Sequence, residues 1–509
     1  DFDVYFPEPN GDGFWSHQEP LYPKMKISET AGKKTATTPV LFDLGANADG
    51  DTQYMLVTDV NVVGYPGMWF EGTDTKQMKA VFPHYPESVK QVDFRGIGVE
   101  KYADYLAKNQ GKVIYPWRAF VLSDAKGLLD NTMLYSLAMP SQPDADWSWI
   151  KPGKVAWDWW NDWNLYEADF KPGVNQESYK YYIDFASEND LPYVILDEGW
   201  SQRGPEKLLD VVPELDIAEL SAYAKSKDVG LILWMTSAAL EKNFDAAFEQ
   251  FSEWDIKGLK IDFMQRDDQP MMDFLYKVAE EAAERHMLVD YHGGSKPAGL
   301  VRTWPNVINI ESVQGLEQSK WCANANPEMA TLIPFIRMVV GPLDYTPGAM
   351  VNKSKDEFKP DNHAPMSQGT RCHQLAMYVV YRAPLQMLSD TPDNYRKNPG
   401  SMVFLRDVPV TWDETVPLDA QVGEYVALAR RNGDDWYVGA MTNWSPRKIS
   451  VKLDFLGEGK YTMTTWSDGT ETESGDVAGV ESTVDADTVI EIDMAPGGGF
   501  AASFKPVNN

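Results

Sequence analysis

Between about residue 150 and residue 410, short apolar runs alternate with amphipathic helical stretches, and nothing else in the chain narrows its fold so far. Eight runs can be read: Val155-Ala156-Trp157, Tyr193–Leu196, Gly230–Trp234, Leu259–Phe263, Met287–Tyr291, Val307–Ile310, Pro342–Tyr345 and Pro384–Leu388. Helical spacing fills most of the gaps, over 176–189, 216–227, 240–253, 269–286, 328–339 and 367–381. Short apolar strands separated by helices are the signature of a parallel sheet covered on both faces. Eight such units in about 250 residues predict a (β/α)8 TIM barrel. A doubly wound sheet is second choice, because no Gly-rich phosphate loop is present.

The flanks read differently. Residues 1–145 carry short alternating stretches, such as Thr38–Phe42 and Tyr54–Thr58, broken by Gly, Asp and Pro turns. They predict a β-sandwich, with 99–109 the one stretch of helical spacing. The barrel is expected over 146–411. Residues 412–509 return to strands, at Tyr425–Ala429, Asp435–Met441, Lys448–Leu453 and Lys460–Thr465, and predict a closing antiparallel β domain. The chain starts abruptly on strand-like residues, as if a signal peptide and the opening of the first domain preceded Asp1.

Composition excludes several partners. The net charge of −30 repels nucleic acid and anionic lipid. No run of about 18 apolar residues could span a bilayer. The two cysteines, Cys322 and Cys372, make neither a disulfide framework nor a zinc pattern. Aromatic residues make up 12% of the chain, which suits sugar stacking but suits β domains equally. Serine-triad, metalloprotease and nucleotide-binding motifs are missing, which leaves carboxylates as the candidate chemistry.

In a TIM barrel the reacting groups sit where strands end. In Gly258-Leu259-Lys260-Ile261-Asp262-Phe263, alternation puts Lys260 and Asp262 on the lumenal face, with Ile261 and Phe263 outward. Attraction to Lys260 would keep Asp262 ionised, as a nucleophile requires. A structural ion pair, or an Asp capping the next helix, explains the same spacing equally well. Glu311 and Glu317 follow the sixth run and could supply a metal ligand and a proton donor; alone, they read as surface charges. With Asp262 they complete the two carboxyl groups that glycosidic cleavage needs. Asp197, Glu198 and Trp200 end the second run and suit sugar binding, with the indole as a platform. His292 ends the fifth run, and a lone His is more often structural. The Trp157–Trp163 segment is too dense in aromatics and acids for any single residue to be given a role.

These residues, with Tyr65-Pro66-Gly67-Met68, Lys154–Trp160 and Trp436-Tyr437-Val438-Gly439-Ala440, together resemble glycoside hydrolase family 97 over nearly the whole chain. The resemblance implies an N-terminal β-supersandwich, a (β/α)8 barrel, a C-terminal β domain and a calcium ion (Ca2+). The family divides into inverting and retaining branches. Met235 and Gly293 stand where the inverting branch has its base glutamates, whereas Asp262 matches the retaining branch's aspartate. By this likeness Asp262 is the nucleophile and Glu317 the acid/base. Glu311, Glu19 and Glu317 gather around the calcium, and Lys260 and His292 bind sugar hydroxyls. A retaining exo-α-galactosidase acting on oligosaccharide or polysaccharide is implied, periplasmic or secreted. α-Glucosides and β-L-arabinopyranosides are alternative substrates. A non-catalytic glycan-binding protein is the alternative of another class, although a dead relative would be expected to lose Asp262 or Glu317.

Overall fold

The computed structural model describes residues 1–33, 35–468 and 477–507. At its centre seven parallel strands curl around a lumen: β1 (Gly153–Trp157), β2 (Tyr193–Leu196), β3 (Gly230–Thr236), β4 (Gly258–Asp262), β5 (Leu288–Tyr291), β6 (Val307–Ile310) and β7 (Leu385–Leu388). Their order is β6-β5-β4-β3-β2-β1-β7. Helices at Gln176–Glu188, Ile217–Ser226, Phe244–Glu253 and Gln269–Glu284 cover the outside. Each begins where the sequence offers a cap or a break. Asp268, for example, accepts from the Met271 amide at 3.3 Å and starts the longest of them. Capping therefore falls to Asp268, and Asp262 is left for other work.

The eight-strand expectation is corrected at one place. Pro342–Tyr345 forms no strand among the described residues. Pro342 has no amide to donate, and the segment is flanked by Gly341 at φ 141° and Thr346 at φ 60°, backbone that a strand cannot contain. A side chain closes the gap it leaves. Asn309 of β6 donates from Nδ2 to the Leu385 carbonyl of β7 at 2.6 Å, and its Oδ1 faces the Leu385 amide at 3.5 Å. The carboxamide thus imitates one rung of a ladder.

The first domain is a sandwich. Strands 117–123, 52–60, 40–46, 3–5 and 24–26 form an antiparallel sheet in that order. Alternation splits its residues: Val4, Val40, Phe42 and Val57 face a small second sheet, while Tyr5, Leu41, Leu56 and Val121 join the core shared with the barrel. The stretch of helical spacing at 99–109 contains a strand instead, Ile97–Tyr102, paired with Pro86–Gln91. Its turn carries Arg95 over the barrel mouth.

The last domain has a six-stranded antiparallel sheet, of which Tyr425–Asn432 and Asp435–Thr442 are neighbours, and a two-stranded partner, Arg447–Lys452 with Val489–Met494. It packs on the barrel helix Arg371–Val380, every residue of which is buried. A Cβ on Gly439 would lie 2.7 Å from that of Val379, so the absence of a side chain permits the close approach.

Asn309→Ala removes the barrel's closing amide and leaves a buried carbonyl unpaired. A loss of about 2–3 kcal/mol in unfolding free energy is expected, measured by urea denaturation.

Candidate active site

Strand β4 delivers two side chains to the lumen by simple alternation. Lys260 and Asp262 face in, while Leu259 and Ile261 are fully buried against the outer layer. A cavity of about 360 Å³ opens at the strand ends. Asp262, Glu317, Glu311, Lys260, Asp197, Glu198 and Glu19 all line it, so most of the sequence candidates converge on one place.

Within the cavity Lys260 chooses partners other than Asp262. Its Nζ lies 2.9 Å from Asp197 Oδ2, 3.6 Å from Glu317 Oε1 and 4.4 Å from the centre of the Trp157 ring. Asp197 also accepts from Trp157 Nε1 at 2.8 Å. Asp262 is held instead by neutral donors: the Phe263 amide at 2.6 Å and Trp234 Nε1 at 3.2 Å. Burial raises the Asp262 pKa, and the nearby His292 charge opposes that shift. The chain turns sharply after Asp262, with Phe263 at φ 61°, so the Phe263 ring lines the cavity and does not point outward as alternation alone predicts.

Position 293 explains where Asp262 sits. Gly293 has φ +57°, and a Cβ there would overlap Asp262 Oδ1 while lying 2.8 Å from the Phe263 amide nitrogen and 3.0 Å from His17 Nδ1. The aspartate therefore occupies the space in which a side chain from the end of β5 would start.

His292 is buried directly beneath the carboxylates that line the cavity. Its Nε2 lies 2.8 Å from Asp344 Oδ2, and its Nδ1 lies 3.3 Å from Glu311 Oε1 and 3.9 Å from Glu317 Oε1. Burial works against its charge, yet Glu311 and Asp290 hold its pKa well above the ordinary imidazole value. Glu311 also accepts from the Gly293 amide at 2.9 Å. Burial works to raise its pKa as well, but His292 outweighs that and keeps Glu311 ionised. His292 orients carboxylates.

Glu317 differs. Burial and the facing Glu311 carboxylate push its pKa to about 8, although Lys260 resists. Glu19 arrives from the first domain, and Gln318 of the barrel donates from Nε2 to its Oε2 at 2.8 Å. Burial, then Glu311 and Glu317, raise its pKa well above the carboxylate range. His292, Glu311 and Glu317 offer ligand atoms within 4.8 Å of one another, and Glu19 feels the same charges. This set of buried, mutually repelling carboxyl oxygens fits a hard cation.

Glu198 reaches the cavity and Trp200 does not. Glu198 lines the cavity but is bound by Arg95, whose Nη2 lies 2.6 and 2.8 Å from its two oxygens. Trp200 is fully buried and offers no platform: its Nε1 donates to the Trp234 carbonyl at 2.7 Å, and its ring packs on Phe251 and Trp254. Aromatic surface on the cavity comes instead from half-buried Trp159 and exposed Trp321. Trp159 belongs to the dense aromatic segment, where no local signal separates it from its neighbours. Arg95, His17 and Asn10 reach the cavity from the first domain. Spacing within the barrel says nothing of them.

Family models match the chain in order. Residues 1–140 match the glycosyl-hydrolase 97 N-terminal domain, 159–313 match glycoside hydrolase 97, and 411–505 match the glycosyl-hydrolase 97 C-terminal domain, described with the word oligomerisation. A retaining alpha-galactosidase of Bacteroides thetaiotaomicron is 43% identical over 500 residues, covering 97% of this chain and 75% of that protein. A protein of Streptomyces bingchenggensis named as a probable retaining alpha-galactosidase is 31% identical over 410 residues, 78% of this chain and 60% of that one. Among solved structures, a family 97 enzyme of Pseudoalteromonas sp. strain K8 in complex with acarbose superposes with a TM-score of 0.84 at 26% identity, over 99% of this chain and 79% of that one. A beta-arabinopyranosidase shares the fold at a TM-score of 0.76 and 22% identity, over 98% and 78%. Identity of this extent, carried through all three domains, settles the lineage: the chain belongs to glycoside hydrolase family 97.

Proposed function

We propose that the protein is a retaining exo-α-galactosidase working by double displacement, with Asp262 as nucleophile and Glu317 as acid/base. The observation that carries this reading is the exchange at the strand ends: Asp262 projects into the cavity through the space that a side chain at Gly293 would need. A carboxylate on β4, and none at 235 or 293, matches the retaining branch and leaves both of the inverting branch's base positions bare. The substrate follows the names of the two curated relatives, both alpha-galactosidases. A periplasmic or secreted location is proposed on family likeness.

In the first step an Asp262 oxygen attacks the anomeric carbon, the bond to the leaving oxygen breaks, and Glu317 gives that oxygen its proton. The Phe263 amide and the Trp234 indole keep the Asp262 carboxylate aimed without neutralising it as an ammonium would. In the second step Glu317 takes a proton from water, the water oxygen bonds to the same carbon, and Asp262 leaves. Two inversions restore the α configuration. The raised pKa of Glu317 suits both halves, because it holds its proton at neutral pH and is basic enough to take one back.

We further propose that Glu19 and Glu311 hold calcium, with the Glu317 carboxyl beside them left free to carry its proton. Bound there, the ion would supply positive charge for orienting sugar hydroxyls and relieve the repulsion among the three acids.

NMR of the first-formed anomer should show retained configuration, and p-nitrophenyl α-galactoside should outrun the α-glucoside and the β-L-arabinopyranoside. Asp262→Asn should lower kcat by at least about a thousandfold while sparing sugar binding, and a 2-fluoro sugar should label Asp262 in the parent protein. An inverted product, or a label on another residue, removes the assignment. Before calcium is added, kcat/KM should fall as pH rises through about 8, where Glu317 loses its proton; Glu317→Gln should abolish that limb and cost about 10²–10⁴ with unactivated leaving groups. Calcium at about a hundredfold over its Kd should raise the melting temperature by roughly 2–4 °C, and Glu19→Gln should erase that rise.

A further inference from the structure

Resting on the reading above, we infer that Trp321, backed by Trp159, is the platform for the sugar on the leaving side of the scissile bond. A general acid must reach the oxygen that departs, so the departing sugar lies against the wall that carries Glu317. That wall is the short 3-10 helix Leu316–Lys320, and Trp321 follows it directly. Trp321 lines the cavity yet is 51% exposed.

Its orientation is nevertheless fixed. Nε1 donates to Gln318 Oε1 at 3.0 Å, and the same Gln318 holds Glu19 at 2.8 Å. The Trp321 ring meets Trp159 edge-on, 5.9 Å between centroids and 74° between planes. Trp159 in turn stacks on Trp157 at 5.8 Å and 23°. Lys320 fastens this step from behind, donating to the Trp159 and Trp160 carbonyls at 3.1 and 2.9 Å. Indoles thus climb from the end of β1 along the Glu317 wall to solvent. A rigid, open indole beside the proton donor presents a flat apolar face, which a pyranose ring matches with its C–H bonds. Such contact reads the face of the ring more than its hydroxyl stereochemistry, so the leaving sugar should be accepted broadly.

Phe94, exposed on a neighbouring pocket that shares Glu198, offers no equivalent: the guanidinium groups of Arg95 and Arg203 lie over its ring at 4.8 and 5.2 Å. Arg95 is itself committed to Glu198.

The test compares an α-galactosyl disaccharide with α-galactosyl fluoride, whose leaving group is a single atom. Trp321→Ala should lower the ratio of kcat/KM for the disaccharide to that for the fluoride about tenfold, and Trp321→Phe should keep most of it. A ratio unmoved in Trp321→Ala, an equal loss on both substrates, or a fall that follows Phe94→Ala instead would each overturn the platform. Product stereochemistry in the unsubstituted protein separates the two readings. Retained configuration with an unmoved ratio removes the platform alone, whereas failure to turn over either substrate removes both.

Discussion

Lys260 brings an ammonium into a barrel mouth lined by acids, and the placement of the other groups depends on it. It is 2% exposed, and burial alone would lower its pKa. Asp197, Glu317, Asp344 and Asp290 reverse that and hold its pKa well above the ordinary lysine value. Its reach to Asp197 and Glu317, and its seat over Trp157, tie together β1, β2, β4 and the loop after β6. A buried pair of this kind contributes little net stability, because desolvation cancels most of the attraction. Its effect is geometric. Truncating Lys260 would leave Asp197 buried with only the Trp157 indole and the Glu198 amide as donors, and Glu317 without its nearest cation.

Two cations, Lys260 and His292, face more carboxyl groups than they can neutralise. Burial, reinforced by that excess, raises their pKa values: to about 8 at Glu317, to about 7 at Asp290, and well above the carboxylate range at Glu19. A buried acid among anions keeps its proton, and one paired with a cation gives it up. One imbalance therefore supplies both a protonated acid at Glu317 and a cluster of oxygens suited to a divalent cation. Arg95 has a related effect at the rim, where it neutralises Glu198 and leaves the charge excess concentrated deeper in the cavity.

Much of this was legible because it is local. Alternation along β4 places Lys260 and Asp262 together, and the strand-end rule finds Asp197, Glu198, Glu311 and Glu317. What the sequence hides is decided at longer range. Trp200 looks like a platform beside two acids, but the turn after β2 folds its ring inward onto Phe251 and Trp254. Pro342–Tyr345 has the apolar content of a strand but not the amide pairing, and the rung that replaces it comes from Asn309, a residue whose own strand gives no hint of the task. His292 reads as a lone histidine, and its contact with Glu311 comes from another strand end. The lining residues Asn10, His17 and Arg95 come from another domain, where local patterning describes only a hairpin or a loop.

The position of Asp262 also bears on how a family divides between two stereochemical outcomes. Direct displacement needs a base set back from the sugar with room for a water between them, whereas double displacement needs an oxygen close enough to bond to carbon. Here the two arrangements compete for one volume. With a Cβ at 293, Oδ1 of Asp262 could not stay where it is, and the Phe263 amide and His17 ring crowd the same point from two other sides. A glutamate at 293 would therefore displace the aspartate from the two donors that aim it. On the proposed mechanism Gly293, in a left-handed conformation that favours glycine, both lacks a base and makes room for the nucleophile. Retention, on that reading, is a consequence of packing as much as of charge: with Asp262 where it is, the end of β5 must be bare.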